Sequence, residues 1–311
     1  MSGKKLQRQH RDYLSDFKKW DQLSHAKDWL LFPENIGKRL SIDEVALSQG
    51  ELYTVVTNKK ARGRAGSIVA IIEGTKAEKV IKYLLQIPTQ LRRRVKEITL
   101  DMAPNMKLIA KTCFTRATQV VDRFHVQKLA SEALQEIRIK YRWEAIDREN
   151  EAILLARKTG KEYTPEILLT GDTRKQLLAR SRYLLYKSRE KWTIKQGQRA
   201  QVLFEEYPDI ELAYKLSQEL RAFFETKKGK GVALTKLAHW YDKVEKSGFK
   251  SFATIMNTIR INYDEIVNYF EKRSTNASAE SFNAKIKAFR SQFRGVRNVE
   301  YFLFRLTQIY A

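Results

Sequence analysis

The sequence predicts an α/β fold in which the strands end before the middle of the chain and helices follow. Residues 40–74 contain three short runs rich in β-branched and aromatic residues, separated by Gly, Asn and Lys. Two further apolar runs, at 95–100 and 119–121, alternate with segments of helical periodicity. From Phe124 to about Tyr269 only helical patterns remain. We therefore expect a mixed domain that is interrupted by a large helical segment.

The first three strands are predicted from the runs LSIDEVALSQG, ELYTVVTNKK and AGSIVAIIEG, which favour an antiparallel meander. A helix follows at 75–86, where apolar residues recur at helical spacing, and Pro88 ends it. The fourth strand, 95–100, ends at Asp101. The predicted order thus begins β-β-β-α-β.

The remaining elements of this domain are a helix behind Pro104 and a strand at 119–121 that ends at Asp122. Beyond Phe124, apolar residues step by four from Leu129 to Tyr141, and similar patterns continue through the next hundred residues or so. The full predicted order is β-β-β-α-β-α-β, followed by helices.

Length and composition exclude several classes of protein. The chain has 311 residues, of which 43% are hydrophobic and 11% aromatic, which is enough for about two domains and too apolar for a disordered tail. A single cysteine, Cys113, cannot form an intramolecular disulfide, which favours a reducing compartment. No apolar run of about 18 residues and no signal-peptide pattern occur in the sequence. We expect a cytoplasmic protein.

The charge of the chain points to a polyanionic partner. It has 59 Lys and Arg against 36 Asp and Glu, a formal net charge of +23. Nucleic acid is the simplest partner for such an excess, and an anionic membrane surface is the alternative. The cations are spread among aromatic residues and patterned helices instead of forming one terminal tail, which favours nucleic acid.

Two carboxylates stand at unusual positions of the predicted strands. Asp43 interrupts the first strand, and Asp101 ends the fourth. The order β-β-β-α-β-α is that of a ribonuclease H-like domain, in which the first strand lies beside the fourth. The two acids would then converge and offer the oxygen ligands that Mg²⁺ prefers. The alternative is that Asp43 faces solvent and Asp101 caps the next helix.

A third carboxylate comes much later, in the string TNASAESFNAKIK. Glu280 lies in the first turns of a predicted helix whose apolar positions are Phe282, Ile286 and Phe289. An acid near a helix N-terminus is also favoured by the helix dipole alone. Asn283 and Lys287, however, follow on about the same face of that helix, where a phosphate could be held.

Five strings together resemble the DDE transposases of bacterial insertion sequences, most closely the ISL3 family: LSIDEV, TLDMAPN, VDRFHV, TNASAESFNAKIK and RGVRN. The resemblance extends from about residue 40 to 306. It implies catalytic and metal-binding acids at Asp43, Asp101 and Glu280, two Mg²⁺ ions that Mn²⁺ could replace, cleavage at the ends of an insertion sequence and strand transfer into target DNA. It also implies a homodimer or larger assembly, associated with the bacterial nucleoid.

The predicted domains follow from the same resemblance. They are 1–38, an N-terminal helical segment; 39–125, the first part of a ribonuclease H-like domain; 126–270, an all-helical insertion; and 271–311, the C-terminal helical part that carries Glu280. Members of the family usually have a DNA-binding region ahead of the catalytic domain, and the first 38 residues contain no cysteine for a zinc site. We expect that a separate chain could supply recognition of the element ends.

Further residues are candidates for supporting roles. Asp122 and His125 are interpreted either as an extra metal ligand and a proton relay or as a helix cap and a packed imidazole. Trp240 could stack on a displaced base or belong to the core, both equally. The candidate DNA-binding residues are Asn276, Asn283, Lys285, Lys287, Arg290, Arg294, Arg297, Arg180, Lys187, Lys191 and Trp240. The alternative function is a non-catalytic DNA-binding protein derived from a transposase.

Overall fold

One mixed β-sheet organises the N-terminal part of the chain. The computed structural model describes residues 3–46, 51–227, 229–273, 277–292 and 298–311, with the backbone alone for residues 3, 4, 272 and 277–280. It divides into two compact units, Met1–Asp122 with Asp264–Ala311, and Arg123–Tyr263. The first unit contains the sheet, and the second is built from helices.

The sheet has six strands among the described residues, in the order β1-β4-β3-β2-β5-β6. Their bounds are β1 Trp29–Leu31, β2 Arg39–Ala46, β3 Leu52–Asn58, β4 Ile68–Glu73, β5 Glu97–Leu100 and β6 Thr118–Val121. The meander β2-β3-β4 is antiparallel, as predicted, and β1 adds to its outer edge antiparallel to β4. On the other side, β5 pairs parallel with β2, and β6 pairs parallel with β5. The mixed sheet and its helices confirm the predicted α/β class.

The helices follow the chain in fourteen numbered segments of the described residues. They are α1 Gly3–Gln9, α2 Ala77–Leu84, α3 Thr89–Arg92, α4 Pro104–Cys113, α5 Arg123–Lys158, α6 Arg174–Arg180, α7 Ile194–Glu206, α8 Pro208–Glu225, α9 Lys230–Ser247, α10 Lys250–Ile261, α11 Tyr263–Val267, α12 Tyr269–Lys272, α13 Ala277–Gln292 and α14 Val299–Tyr310. Short 3₁₀ and π turns lie between some of them.

The N-terminal segment is not helical throughout, which corrects the prediction for residues 1–38. It contains the edge strand β1, whose Trp29 lies opposite Ile72 of β4. A strand of three residues is too short to produce an alternating pattern, so periodicity could not detect it. Ahead of β1, the ring of Phe17 packs edge-on against Tyr301 and Phe304 of α14, which anchors the segment to the first unit.

Each face of the sheet is covered by helices, and the alternation along β2 assigns its residues to the two faces. Leu40 and Ile42 belong to the core shared with α2 and α4. Val45 belongs to the other core, which contains Phe282 and Ile286 of α13. Because side chains alternate along a strand, Asp43 lies on the same face as Val45. The fold thus places Asp43 on the side of the sheet that α13 covers.

The helical unit has its own core, and Trp240 is part of it. Only 1% of the Trp240 surface is exposed. Its indole N–H donates a hydrogen bond to the carbonyl oxygen of Leu216 on α8, at 2.9 Å. A buried and hydrogen-bonded indole cannot stack on a nucleic-acid base, so the DNA-binding role considered for Trp240 is wrong. The alternative interpretation as a core residue is correct. Cys113 is likewise buried, as a core residue should be.

Candidate functional site

The parallel register of β2 and β5 brings Asp43 and Asp101 to the same level of the sheet. Arg39 lies opposite Glu97 and Ser41 opposite Thr99, a constant offset of 97 − 39 = 58 residues. The two acids are separated by the same offset, 101 − 43 = 58, and each lies two residues beyond the last matched pair. Asp43 is still within β2, whereas Asp101 directly follows β5. The two acids therefore lie at the same level on two neighbouring parallel strands, at the carboxyl end of β5.

Asp43 is held by contacts on both of its carboxylate oxygens. Oδ1 accepts a hydrogen bond from the backbone N–H of Glu44 at 2.8 Å. Oδ2 accepts one from the side-chain amide of Asn283 at 2.5 Å. This second bond joins the central strand β2 to helix α13, which lies 240 residues later in the sequence. The candidate site therefore combines the start and the end of the chain.

Glu280 precedes Asn283 by one helical turn on α13. The structure describes the backbone of α13 from Ala277 onward, and the side chain of Glu280 is outside the described residues. Positions three apart on a helix are neighbours on its surface. The backbone of Glu280 therefore lies one turn before the residue that contacts Asp43.

Asp101 has a structural partner as well. Its Oδ1 accepts a hydrogen bond from the backbone N–H of Ala103 at 2.9 Å, in the turn that leads into α4. Pro104 then opens the helix. This bond forms a turn just ahead of α4, whose N-cap is Ala103 and has no side-chain cap, so the alternative that Asp101 caps this helix is wrong. Such a contact orients the carboxylate and is compatible with a metal ligand.

Glu44 is a third acid of this region that the sequence reasoning missed. Burial is the largest cause that raises the pKa of Glu44, and the charges of Asp101 and Asp43 raise it further. A hydrogen bond with Asn105 acts in the opposite direction. The available signal was the position of Glu44 directly after Asp43 in the sequence.

Lys59 is a second residue that the sequence did not reveal. Its ammonium group donates a hydrogen bond to Thr99 Oγ1 at 2.7 Å and lies 3.7 Å from the carboxylate of Glu97. Burial, the largest cause, lowers its pKa, and the charges of Glu97 and Asp122 oppose that shift. A lysine in a turn after a strand usually faces solvent, so this contact could not be expected from the sequence.

Asp122 follows β6 at a level that corresponds to Asp101, because Leu100 lies opposite Val121. It is 1% exposed, and the long helix α5 begins at the next residue. His125 lies in the first turn of α5 and is partly buried. Asp122 thus lies between β6 and α5, and His125 lies in the first turn of α5. Their roles as ligand and proton relay, or as helix cap and packed imidazole, stay predictions.

No group of three or more His, Cys, Asp and Glu side chains forms a metal-binding arrangement within the part of the chain whose side chains are described. The side chain of Glu280 is not included in that part. The chemistry of the described donors nevertheless suits Mg²⁺, because carboxylate oxygens are its preferred protein ligands.

Comparison with known proteins identifies the family. A model of a transposase family, the DDE type of ISL3 elements, matches residues 40–306. The chain belongs to this transposase family. It is also similar to the transposase for insertion sequence element IS1001 of Bordetella parapertussis, with 23% identity over 269 residues. The alignment covers 86% of this chain and 59% of that relative. The resemblance recognised in the sequence is thereby confirmed.

The basic residues of the transposase that follow Glu280 have mixed surroundings. Lys285 donates a hydrogen bond to the carbonyl oxygen of Gly63 at 2.7 Å, and Arg290 donates one to that of Ala46 at 3.1 Å. Lys287 is exposed. The first two therefore also hold α13 against the meander. The candidates Asn276, Arg294 and Arg297 lie outside the described residues.

The basic run 174–199 of the transposase is more strongly paired than its sequence indicates. Arg180 and Arg199 both contact Asp172, whose side chain is 0% exposed. Four further cation–carboxylate pairs involve the same run: Arg174 with Glu166 and Glu206, Lys175 with Glu149, and Arg189 with Glu211. The run forms α6, two 3₁₀ turns and the start of α7. Much of the positive charge of this run is thus paired with carboxylates inside the helical unit.

Lys187 and Lys191 differ from Arg180 in this respect. The ammonium group of Lys187 contacts only a neutral group among its described hydrogen-bond partners, the amide oxygen of Gln196 at 3.3 Å. Lys191 is exposed. These lysines are the better candidates for phosphate contacts. No described helix of the transposase is long and apolar enough to cross a membrane.

Proposed function

We propose that this transposase cleaves DNA at the ends of an insertion sequence and transfers the freed strand into target DNA, with Mg²⁺ held by Asp43, Asp101 and Glu280. The observation that carries the proposal is the shared level of Asp43 and Asp101, together with the bond from Asn283 that brings α13 to Asp43. Family membership supports the same chemistry.

The side chains of the site have distinct proposed roles. Asp43, Asp101 and Glu280 would hold two divalent ions, whose chemistry would be to activate a water and a 3′-hydroxyl for attack on a phosphodiester. Asp43 and Asp101 supply charged oxygen ligands, and Asn283 and the backbone of Ala103 fix their orientation. The nucleophile belongs to water or DNA, so the protein needs no nucleophilic side chain. Asp122 and His125 remain candidates for a supporting ligand and a proton relay.

The same proposal assigns the domains. Residues 39–125 and 271–311 would form a ribonuclease H-like catalytic domain, and 126–270 would be a helical insertion between the second Asp and the Glu. We propose that the protein acts on bacterial DNA as a homodimer or larger assembly, in which a separate chain could contribute recognition of the element ends. The net charge of +23 supports DNA as the substrate.

The experiment that tests the function uses a labelled duplex carrying an element end and a target plasmid. With Mg²⁺ or Mn²⁺ we expect a nick at the element end and a joined product, and with EDTA we expect neither. Ca²⁺ is expected to support DNA binding with little cleavage. DNA binding without cleavage or joining in any of these metals would favour the non-catalytic alternative.

DNA binding should depend steeply on salt, because each neutralised phosphate releases counterions. The slope of the logarithm of the DNA-binding constant against the logarithm of the salt concentration changes by about 0.9 for each phosphate contact. We expect the double change Lys187→Gln and Lys191→Gln to make the slope shallower by roughly one unit for each lysine.

Arg180→Gln is the matched control for this measurement, because Asp172 already engages the Arg180 guanidinium. It should change the slope by much less than one lysine does. Fluorescence anisotropy between about 50 and 200 mM salt gives the DNA affinity of the unchanged protein, the double variant and the Arg180→Gln control. An unchanged slope in the double variant would show that this face of the helical unit does not bind DNA.

A further inference from the structure

The long helix α5 exposes an apolar stripe on one side. Ile139 and Trp143 are 43% and 60% exposed, which is unusual for large apolar side chains. Ile146 and Ile153 are half-buried, and Asn150 between them is exposed. We call these five residues the α5 stripe.

Other sides of α5 are already occupied within the helical unit. Arg138 donates a hydrogen bond to the carbonyl oxygen of Leu178 at 2.8 Å, and Glu149 pairs with Lys175 at 2.7 Å. Tyr141 donates to Asp209 at 2.5 Å. With about 100° per residue, these positions lie at angles around the helix axis that differ from those of the α5 stripe. The stripe is therefore a separate, outward-facing surface.

The spacing of the α5 stripe fits a partner helix. Its positions step by 4, 3, 4 and 3 residues from Ile139 to Ile153. This alternation is the heptad spacing with which two helices pack side by side. In that pattern Trp143 and Asn150 occupy equivalent a positions. An Asn at such a position needs a polar partner across the interface, and an identical helix supplies one.

Charge argues against nucleic acid as the occupant and for a second copy. Residues 139–157 contain four basic and four acidic side chains, in a chain of net charge +23. The stripe thus lies in a locally neutral segment. Arg142 and Asp147 flank it at positions where, in a parallel pair, each arginine would face the aspartate of the other helix.

We propose that two copies of this protein associate through the α5 stripe as a short parallel pair of helices. Asn150 of one copy faces Asn150 of the other, and the three isoleucines and Trp143 are buried between them. The inference deepens the proposed function, which includes a homodimer or larger assembly, because it names the surface through which two copies pair, and in that respect it rests on the proposed function.

Cysteine cross-linking of the full chain tests the proposal, and the chain is well suited to it. Cys113 is the only cysteine and is buried, and burial raises the pKa of its thiol to about 11. At a protein concentration of about 20 µM and under mild oxidation, Asn150→Cys should form a disulfide-linked dimer. Glu151→Cys is the matched control, since Glu151 is also exposed and points about 100° away. It should stay monomeric.

A second variant removes the apolar anchor without adding a thiol. Trp143→Glu should weaken dimerisation by about tenfold or more in sedimentation velocity, while the exposed position leaves the thermal midpoint nearly unchanged. A monomeric Asn150→Cys protein, equal cross-linking of both cysteine variants, or a dimer that Trp143→Glu leaves intact would each overturn the proposal. None of these readouts depends on cleavage, so the proposed function is tested separately.

Discussion

Asp101→Asn is expected to reduce Mg²⁺-dependent DNA cleavage by about a thousandfold or more, while DNA affinity stays within about twofold. Replacing a carboxylate with an amide removes a negative metal ligand, and several kcal/mol of lost transition-state stabilisation correspond to such a factor. The amide oxygen can still accept the hydrogen bond from Ala103, so the turn before α4 should persist. Rates of strand cleavage and anisotropy with the same duplex measure both quantities.

Asp242→Asn is the control for that comparison. Asp242 lies on α9 in the helical unit, where it forms an exposed pair with Lys246. The same chemical change there should leave cleavage unaffected, because exposed pairs contribute little. If the Asp101→Asn protein cleaved at the rate of the unchanged protein, Asp101 would not be a metal ligand.

Trp240→Ala is expected to lower the free energy of unfolding of the helical unit by about 3–5 kcal/mol, the usual cost of truncating a buried aromatic residue. The change leaves a large cavity and removes the indole donor to Leu216. Chemical denaturation followed by circular dichroism gives the free energy of unfolding.

Trp143→Ala provides a matched control in the same unit, because Trp143 is 60% exposed. We expect a change within about 0.5 kcal/mol in the monomer at low protein concentration. Trp240→Phe, which keeps most of the core volume, should bind DNA as the unchanged protein does. A folded Trp240→Phe protein with about tenfold weaker DNA binding would contradict this expectation.

The sequence predicted the sheet well where its strands alternate or are bounded by turn residues. It placed Asp43 and Asp101 on adjacent strands because the predicted order β-β-β-α-β-α is that of a ribonuclease H-like domain, in which the first strand lies beside the fourth. It missed β1, whose three residues carry no periodicity. It also missed Glu44 and Lys59, because their surroundings depend on contacts with residues that are distant in the sequence.

Ion pairing in the helical unit was the least predictable feature. The run 174–199 looked strongly basic because the carboxylates that pair with it lie outside the run, some of them more than 20 residues away. Asp172 meets Arg199 after 27 residues, and Glu149 meets Lys175 after 26. These two pairs form only when the helices pack. The net charge of the run alone therefore overestimates how many of its cations are free to bind DNA. The environment of Trp240 also depends on how the helices pack. The sequence pattern of its helix fits a core residue and an exposed stacking residue equally.

The bond between Asn283 and Asp43 has a consequence for the timing of synthesis. A ribosome adding about 5–20 residues per second needs roughly 10 to 50 s to extend the chain from one to the other. For about the last three quarters of that interval, after Asp101 has been made, the nascent sheet carries both acids without the helix that orients Asp43. If the proposed function holds, chains whose synthesis stops before α13 should therefore be inert toward DNA, and the proposed cleavage should require synthesis to have passed Asn283.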